Sequence, residues 1–80
     1  MMDKRLIEFT FGECEHEGDL DHYIDGMISH GAKIKSAFMP CPEYAEVGIV
    51  KAEVTNEQLQ AIYKDPEVGG FLDGTKVASC

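Results

Sequence analysis

Eighty residues, 44% hydrophobic and 28% charged with a formal charge of −8, allow one domain over residues 1–80; they exclude a second core, and the chain is too apolar to stay disordered. No apolar run approaches the roughly 20 residues of a membrane span, and Met1-Met2-Asp3-Lys4-Arg5 followed by Leu6-Ile7-Glu8 lacks the unbroken apolar stretch of a signal peptide, so a cytoplasmic location is expected. Residues 1–25 hold eight acids and two bases, and the only close pair of bases beyond the amino terminus is Lys33 and Lys35, which disfavours direct nucleic-acid binding and suits a basic partner better.

Residues 4–11 alternate, with Ile7, Phe9 and Phe11 on one side and Leu6, Glu8 and Thr10 on the other, the period of a half-buried strand. Gly12 and the acidic run Glu13 to Gly18 form a loop. Asp19 is then positioned as an N-cap, because its carboxylate can accept from the free amides of a first helical turn. Leu20, Ile24, Met27 and Ile28 make the apolar stripe of that helix, with Tyr23 at its border and Gly31 as the C-terminal cap.

Ala32 to Met39 resumes alternation, Ile34, Ser36 and Phe38 opposing Lys33 and Lys35, until Pro40-Cys41-Pro42 breaks any regular ladder; this reads as an edge strand. Ala45 to Val54 is the strongest strand, with Val50, Ala52 and Val54 opposite Lys51 and Glu53 and a bulge expected at Gly48. Thr55-Asn56-Glu57-Gln58 is a capping box, and Leu59, Ile62 and Tyr63 supply the apolar stripe of a second helix that stops at Asp65-Pro66. Phe71-Leu72 and Thr75 to Ala78 read as one interrupted edge strand, with Asp73-Gly74 as the alternative turn of a very short hairpin. The order β, α, β, β, α, β implies a ferredoxin-like α+β sandwich: a four-stranded antiparallel sheet with two helices on one face and the other face partly open.

Reactive groups are present but scattered. Cys14, Cys41 and Cys80 are odd in number and irregularly spaced, as reduced thiols rather than a disulfide framework. Cys14, His16, His22 and Cys41 offer zinc-type donors, yet no Cys-x-x-Cys pair organises them, so no metal and no cofactor is expected. Nothing local pairs a cysteine with a base, and His30 near a helix end has its charged form favoured by the macrodipole, a stability effect. No catalytic residue emerges, and an enzyme is not expected.

From Val50 the residues Val-Lys-Ala-Glu-Val-Thr-Asn-Glu-Gln-Leu-Gln-Ala-Ile-Tyr-Lys-Asp-Pro-Glu-Val, followed by Val77, resemble the peptidase inhibitor I9 family, the subtilisin propeptides and their stand-alone relatives. The resemblance covers the carboxyl half. The family's acid-rich step in the last strand is replaced here by Phe71-Leu72-Asp73-Gly74, and its glycine-phenylalanine step before the third strand by Glu46-Val47-Gly48-Ile49. It implies a domain whose sheet packs on a subtilisin-like protease while the tail, here Val77-Ala78-Ser79-Cys80, threads the cleft by strand addition.

The first functional expectation is therefore a small acidic inhibitor or regulator of another protein, with the open sheet face and Val77, Ala78, Ser79 and Cys80 as one contact surface and Glu13, Glu15, Glu17, Asp21 and Asp25 as another. The second is an acidic, phage-type inhibitor that blocks a basic nucleic-acid-binding enzyme or defence complex by mimicking nucleic-acid charge. A ligand-binding or catalytic homodimer of ferredoxin-like subunits ranks last.

Overall fold

The computed structural model describes residues 4–12, 14, 17–39 and 47–78. The elements follow the expected order: β1 (Arg5–Phe11), α1 (Glu17–Ser29), β2 (Lys33–Phe38), β3 (Gly48–Val54), α2 (Asn56–Lys64), a short 3-10 turn (Gly69–Phe71) and β4 (Leu72–Val77). The four strands form one antiparallel sheet in the order β2-β3-β1-β4, the ferredoxin-like α+β arrangement. Among the described residues no helix is long and apolar enough to cross a membrane.

Strand β1 shows why the sheet is two-sided. Ile7, Phe9 and Phe11 are buried and pair with Ala52, Val50 and Gly48 of β3, while the intervening Leu6, Glu8 and Thr10 pair with Glu53, Lys51 and Ile49. Because side chains alternate across a pleated strand, each register fixes one face for the core and the opposite face for solvent. Leu20, Tyr23 and Met27 from α1 and Ile62 from α2 complete the core on the first face, so both helices lie on the same side of the sheet.

The ends of the helices are chemically defined. The Thr55 hydroxyl accepts from the Gln58 backbone N–H at 3.1 Å, and the Gln58 side-chain oxygen accepts from the Thr55 N–H at 2.9 Å, the reciprocal capping box expected there. At the C-terminus of α1 the Ala32 N–H reaches the Met27 carbonyl and the Gly31 N–H reaches Ile28, the paired bonds of a Schellman motif. Gly31 has φ +93°, a conformation that a side chain would strain, and a Cβ there would also meet the Gln58 amide nitrogen at 2.5 Å. The two caps thus abut.

Several expectations are corrected. Helix α1 begins at Glu17, so Asp19 lies inside the first turn, where the macrodipole favours a carboxylate. Ile28 is 53% exposed, because it sits about 100° around the helix from Met27, outside the arc centred on Leu20, Tyr23 and Met27. Tyr23 is instead a core residue, stacked on Phe11 with ring centroids 4.7 Å apart and tilted against Phe71 at 5.4 Å. Tyr63 faces solvent and joins its hydroxyl to that of Thr75 at 2.5 Å, pinning α2 over β4.

The bulge expected at Gly48 is absent. Strand β3 alternates without a shift from Gly48 to Val54, and Gly48 faces the core with no room for a Cβ, since Cys14 Sγ and Leu20 Cδ1 would each lie 2.7 Å away. The irregularities fall in the two edge strands: between Ile34 and Ser36 on β2, and beside Asp73 on β4, opposite Thr10 and Phe11. Strand β4 is therefore one interrupted strand and not a hairpin. Bulges on both outer strands disrupt edges that could otherwise pair with another sheet.

Candidate functional site

Among the described residues nothing covers the helix-free face of the sheet. It consists of three cross-strand rows. At one end Phe38, Ile49, Thr10 and Gly74 lie side by side; in the middle Ser36, Lys51, Glu8 and Lys76; and beyond them Lys33, Glu53 and Leu6. Rows on one face are about 6.7 Å apart, two residues along a strand.

Phe38 reaches this face because of the β2 bulge. Ile34 pairs with Ala52 on the core side, Lys35 is passed over, and Ser36 pairs with Lys51 on the solvent side. The extra residue inverts the phase, so that Ala37 turns toward the core face and Phe38 comes to lie beside Ile49, 48% exposed. Sequence alternation alone put Ile34 and Phe38 on one side; the structure separates them. The apolar Ile49 and Leu6 at positions where their strands are otherwise polar were the available signal.

Gly74 shapes the apolar row from the other edge. It contributes no side chain beside Thr10, and a shallow depression of about 290 Å3 results, bordered by Glu8, Thr10, Ile49, Gly74 and Lys76. A second recess of about 210 Å3 lies on the helix side, between the carboxyl end of β4 and the start of α2, with Ile7, Val54, Leu59 and Val77 as its apolar walls and Arg5 and Lys76 at its rim.

Charge on the helix-free face runs against the charge of the whole chain. Lys76 pairs with Glu8 at 3.1 Å and Lys35 with Glu53 at 3.6 Å. Both glutamates are thereby matched, whereas Lys33 and Lys51 have no carboxylate within ion-pair distance among the described residues. With the bulge residues Lys35 and Asp73 included, the described part of the face carries four lysines against Glu8, Glu53 and Asp73, on a chain of net charge −8.

The residues singled out from the sequence are dispersed. Asp21 and Asp25 are exposed on α1, one turn apart, and Glu17 opens that helix. Val77 ends β4 and is 71% exposed, while the Ala78 N–H still donates to the Leu6 carbonyl at 2.9 Å, so the first half of the anticipated tail belongs to the sheet. Glu13, Glu15, His16, Cys41, Ser79 and Cys80 lie outside the described residues.

Cys14 is fully buried, and burial, reinforced by the charge of Asp19, pushes its thiol up from the ordinary value. A thiol held protonated in a core is a poor nucleophile and a poor metal ligand. His22 is exposed on α1, and among the described residues no three His, Cys, Asp or Glu side chains gather as a metal site. His30 donates from Nε2 to Asp65 Oδ2 at 2.8 Å, and the Glu67 N–H donates to Asp65 Oδ1 at 2.9 Å. The first of these bonds, then the second, holds the Asp65 carboxyl below the usual carboxylate range. This pair ties the end of α1 to the end of α2 and lies on the helix side, away from the lysine-rich face.

No protein-family model, no characterised protein and no solved structure matches this chain.

Proposed function

We propose that this chain is a protein-binding module that docks through the helix-free face of its sheet, and that its carboxyl-terminal strand end extends the contact in the manner of an I9-type protease inhibitor. The observation that carries the reading is the half-exposed Phe38 beside the partly exposed Ile49 and the depression at Gly74, a row that no described residue covers. A phenylalanine about half exposed on a sheet surface leaves apolar area in water that a partner can cover, at roughly 25 cal/mol per Å2 removed. Aromatic side chains in such positions are the common anchors of interfaces.

The inhibitor form of the reading rests on β4. Among the described residues it is an edge strand with no strand on its outer side, and its last residue Val77 is largely exposed. An extended substrate-like segment added to a protease cleft uses such main-chain groups for affinity and alternate side chains for selectivity. The sheet face would then hold the domain in place while residues from Val77 onward occupy the cleft.

The test is inhibition of a subtilisin-like protease by the full chain, by a chain ending at Lys76, by Val77→Ser and by Phe38→Ser, each checked by circular dichroism. Loss of inhibition in the shortened chain and in Phe38→Ser, with the fold kept, is the expected result. Inhibition that survives the shortening removes the strand end from the mechanism. A full chain that never inhibits removes proteases as the partner.

A further inference from the structure

We infer that the helix-free sheet face is built for an acidic partner: a protein segment that places an apolar side chain over Phe38 and Ile49 and carboxylates beside Lys51 and Lys33. The inference rests on the docking reading above and adds to it the sign of the partner. Overall charge points the opposite way, since a chain of −8 should attract basic proteins.

Local arrangement decides between the two. On this face Glu8 lies in the row between Lys51 and Lys76 and is matched by Lys76 at 3.1 Å, and Glu53 is matched by Lys35 at 3.6 Å. Among the described residues the ammonium groups of Lys33 and Lys51 stand across the strands from Glu53 and Glu8 without an ion-pair contact of their own, and these two are what remains for an incoming partner. The exposed acids Asp21 and Asp25 stand on α1, on the opposite side of the sheet, separated from this surface by the core layer. At physiological ionic strength the screening length is about 8 Å, so a docked segment responds to the lysines it touches rather than to the distant helix.

Geometry narrows the occupant further. The apolar row of Phe38 and Ile49 and the row of Lys51 are neighbours, about 6.7 Å apart. That is the spacing of side chains i and i+2 on an extended segment, with Lys33 one row further on. An apolar residue followed two places later by Asp or Glu fits both rows at once. Buried like charges at an interface are costly, so a segment with Lys or Arg at the second position is selected against by the same groups.

The experiment is an NMR titration of the 15N-labelled full chain with a peptide of Leu-Thr-Glu-Thr repeats and with its Leu-Thr-Lys-Thr counterpart, at low salt and at about 1 M NaCl, where the screening length falls to about 3 Å. The acidic peptide is expected to shift the amides of Phe38, Ile49, Lys51 and Glu8. Its affinity should exceed that of the basic peptide roughly five- to tenfold at low salt, as two exposed charge contacts allow, and the gap should close at high salt. Lys33→Gln with Lys51→Gln should abolish the preference without changing the fold. Lys33→Glu with Lys51→Glu should reverse it.

A basic peptide that binds these same residues as well as the acidic one overturns the inference and leaves the docking face standing. Shifts confined to α1, or no shifts on the sheet with either peptide, overturn the inference together with the face.

Discussion

The two faces of the sheet are made from the same four strands, and on β1 they differ by a single step along the chain. Phe9 is fully buried in the core between Val50 of β3 and Thr75 of β4, whereas Glu8, its neighbour, lies in a solvent-facing row between Lys51 and Lys76. One face stores the stability of the domain. The other contributes little to folding and holds the features suited to recognition, which is the division expected when helices cover one side of an antiparallel sheet. It follows that substitutions on the two faces should separate stability from binding.

The sharpest way to break this contrast is Phe9→Ala. Removing a fully buried phenylalanine should cost about 3–5 kcal/mol, a quarter or more of the roughly 4–12 kcal/mol expected of an 80-residue domain. Urea unfolding that reports less than about 1 kcal/mol would show that the core is not where the packing places it. Gly31→Ala is next: forcing an L side chain into a left-handed conformation costs about 1–2 kcal/mol, and the new Cβ also displaces Gln58. Its midpoint should fall further than that of an alanine at the exposed Gly18, which has nothing near its Cβ.

Thr55→Ala removes the hydroxyl that caps α2 and should cost about 1 kcal/mol. Gln58→Ala should add little on top of it, because the two side chains form one reciprocal pair. The Asp65 link gives a pH signature on the helix side. Its folded carboxyl titrates below the unfolded one, so its stabilisation is present above the ordinary carboxylate range and is lost as pH falls through the lowered value. Melting temperatures of the unsubstituted chain should therefore drop as the pH is taken below the ordinary carboxylate range, and Asp65→Asn should flatten that part of the profile.

The smallest expected change in stability is on the other face. Phe38→Ser should leave the unfolding free energy within about 0.5 kcal/mol, while weakening any partner held by the sheet. A large loss of stability would mean that Phe38 is packed, and would remove it from the candidate site.

Part of this division is legible in the chain itself. The alternation of Ile7, Phe9 and Phe11, the strand run ending at Val54, the Thr55 to Gln58 box and Gly31 each specify their local structure through contacts within a few residues. Counting charge along the chain ignores which face receives it: Asp21 and Asp25 fall on α1, whereas Lys33 and Lys51 fall on the helix-free face of the sheet. The same limit applies to Tyr23, whose place in the core depends on meeting Phe11 and Phe71 from distant segments.

By itself the sequence determined the order of strands and helices, their caps and the inward face of the two central strands, since periodicity and capping are short-range. Tertiary structure alone decided the composition of the helix-free face. The bulge between Ile34 and Ser36 is a matter of pairing between β2 and β3, and one skipped residue on an edge strand moves Phe38 from one face to the other.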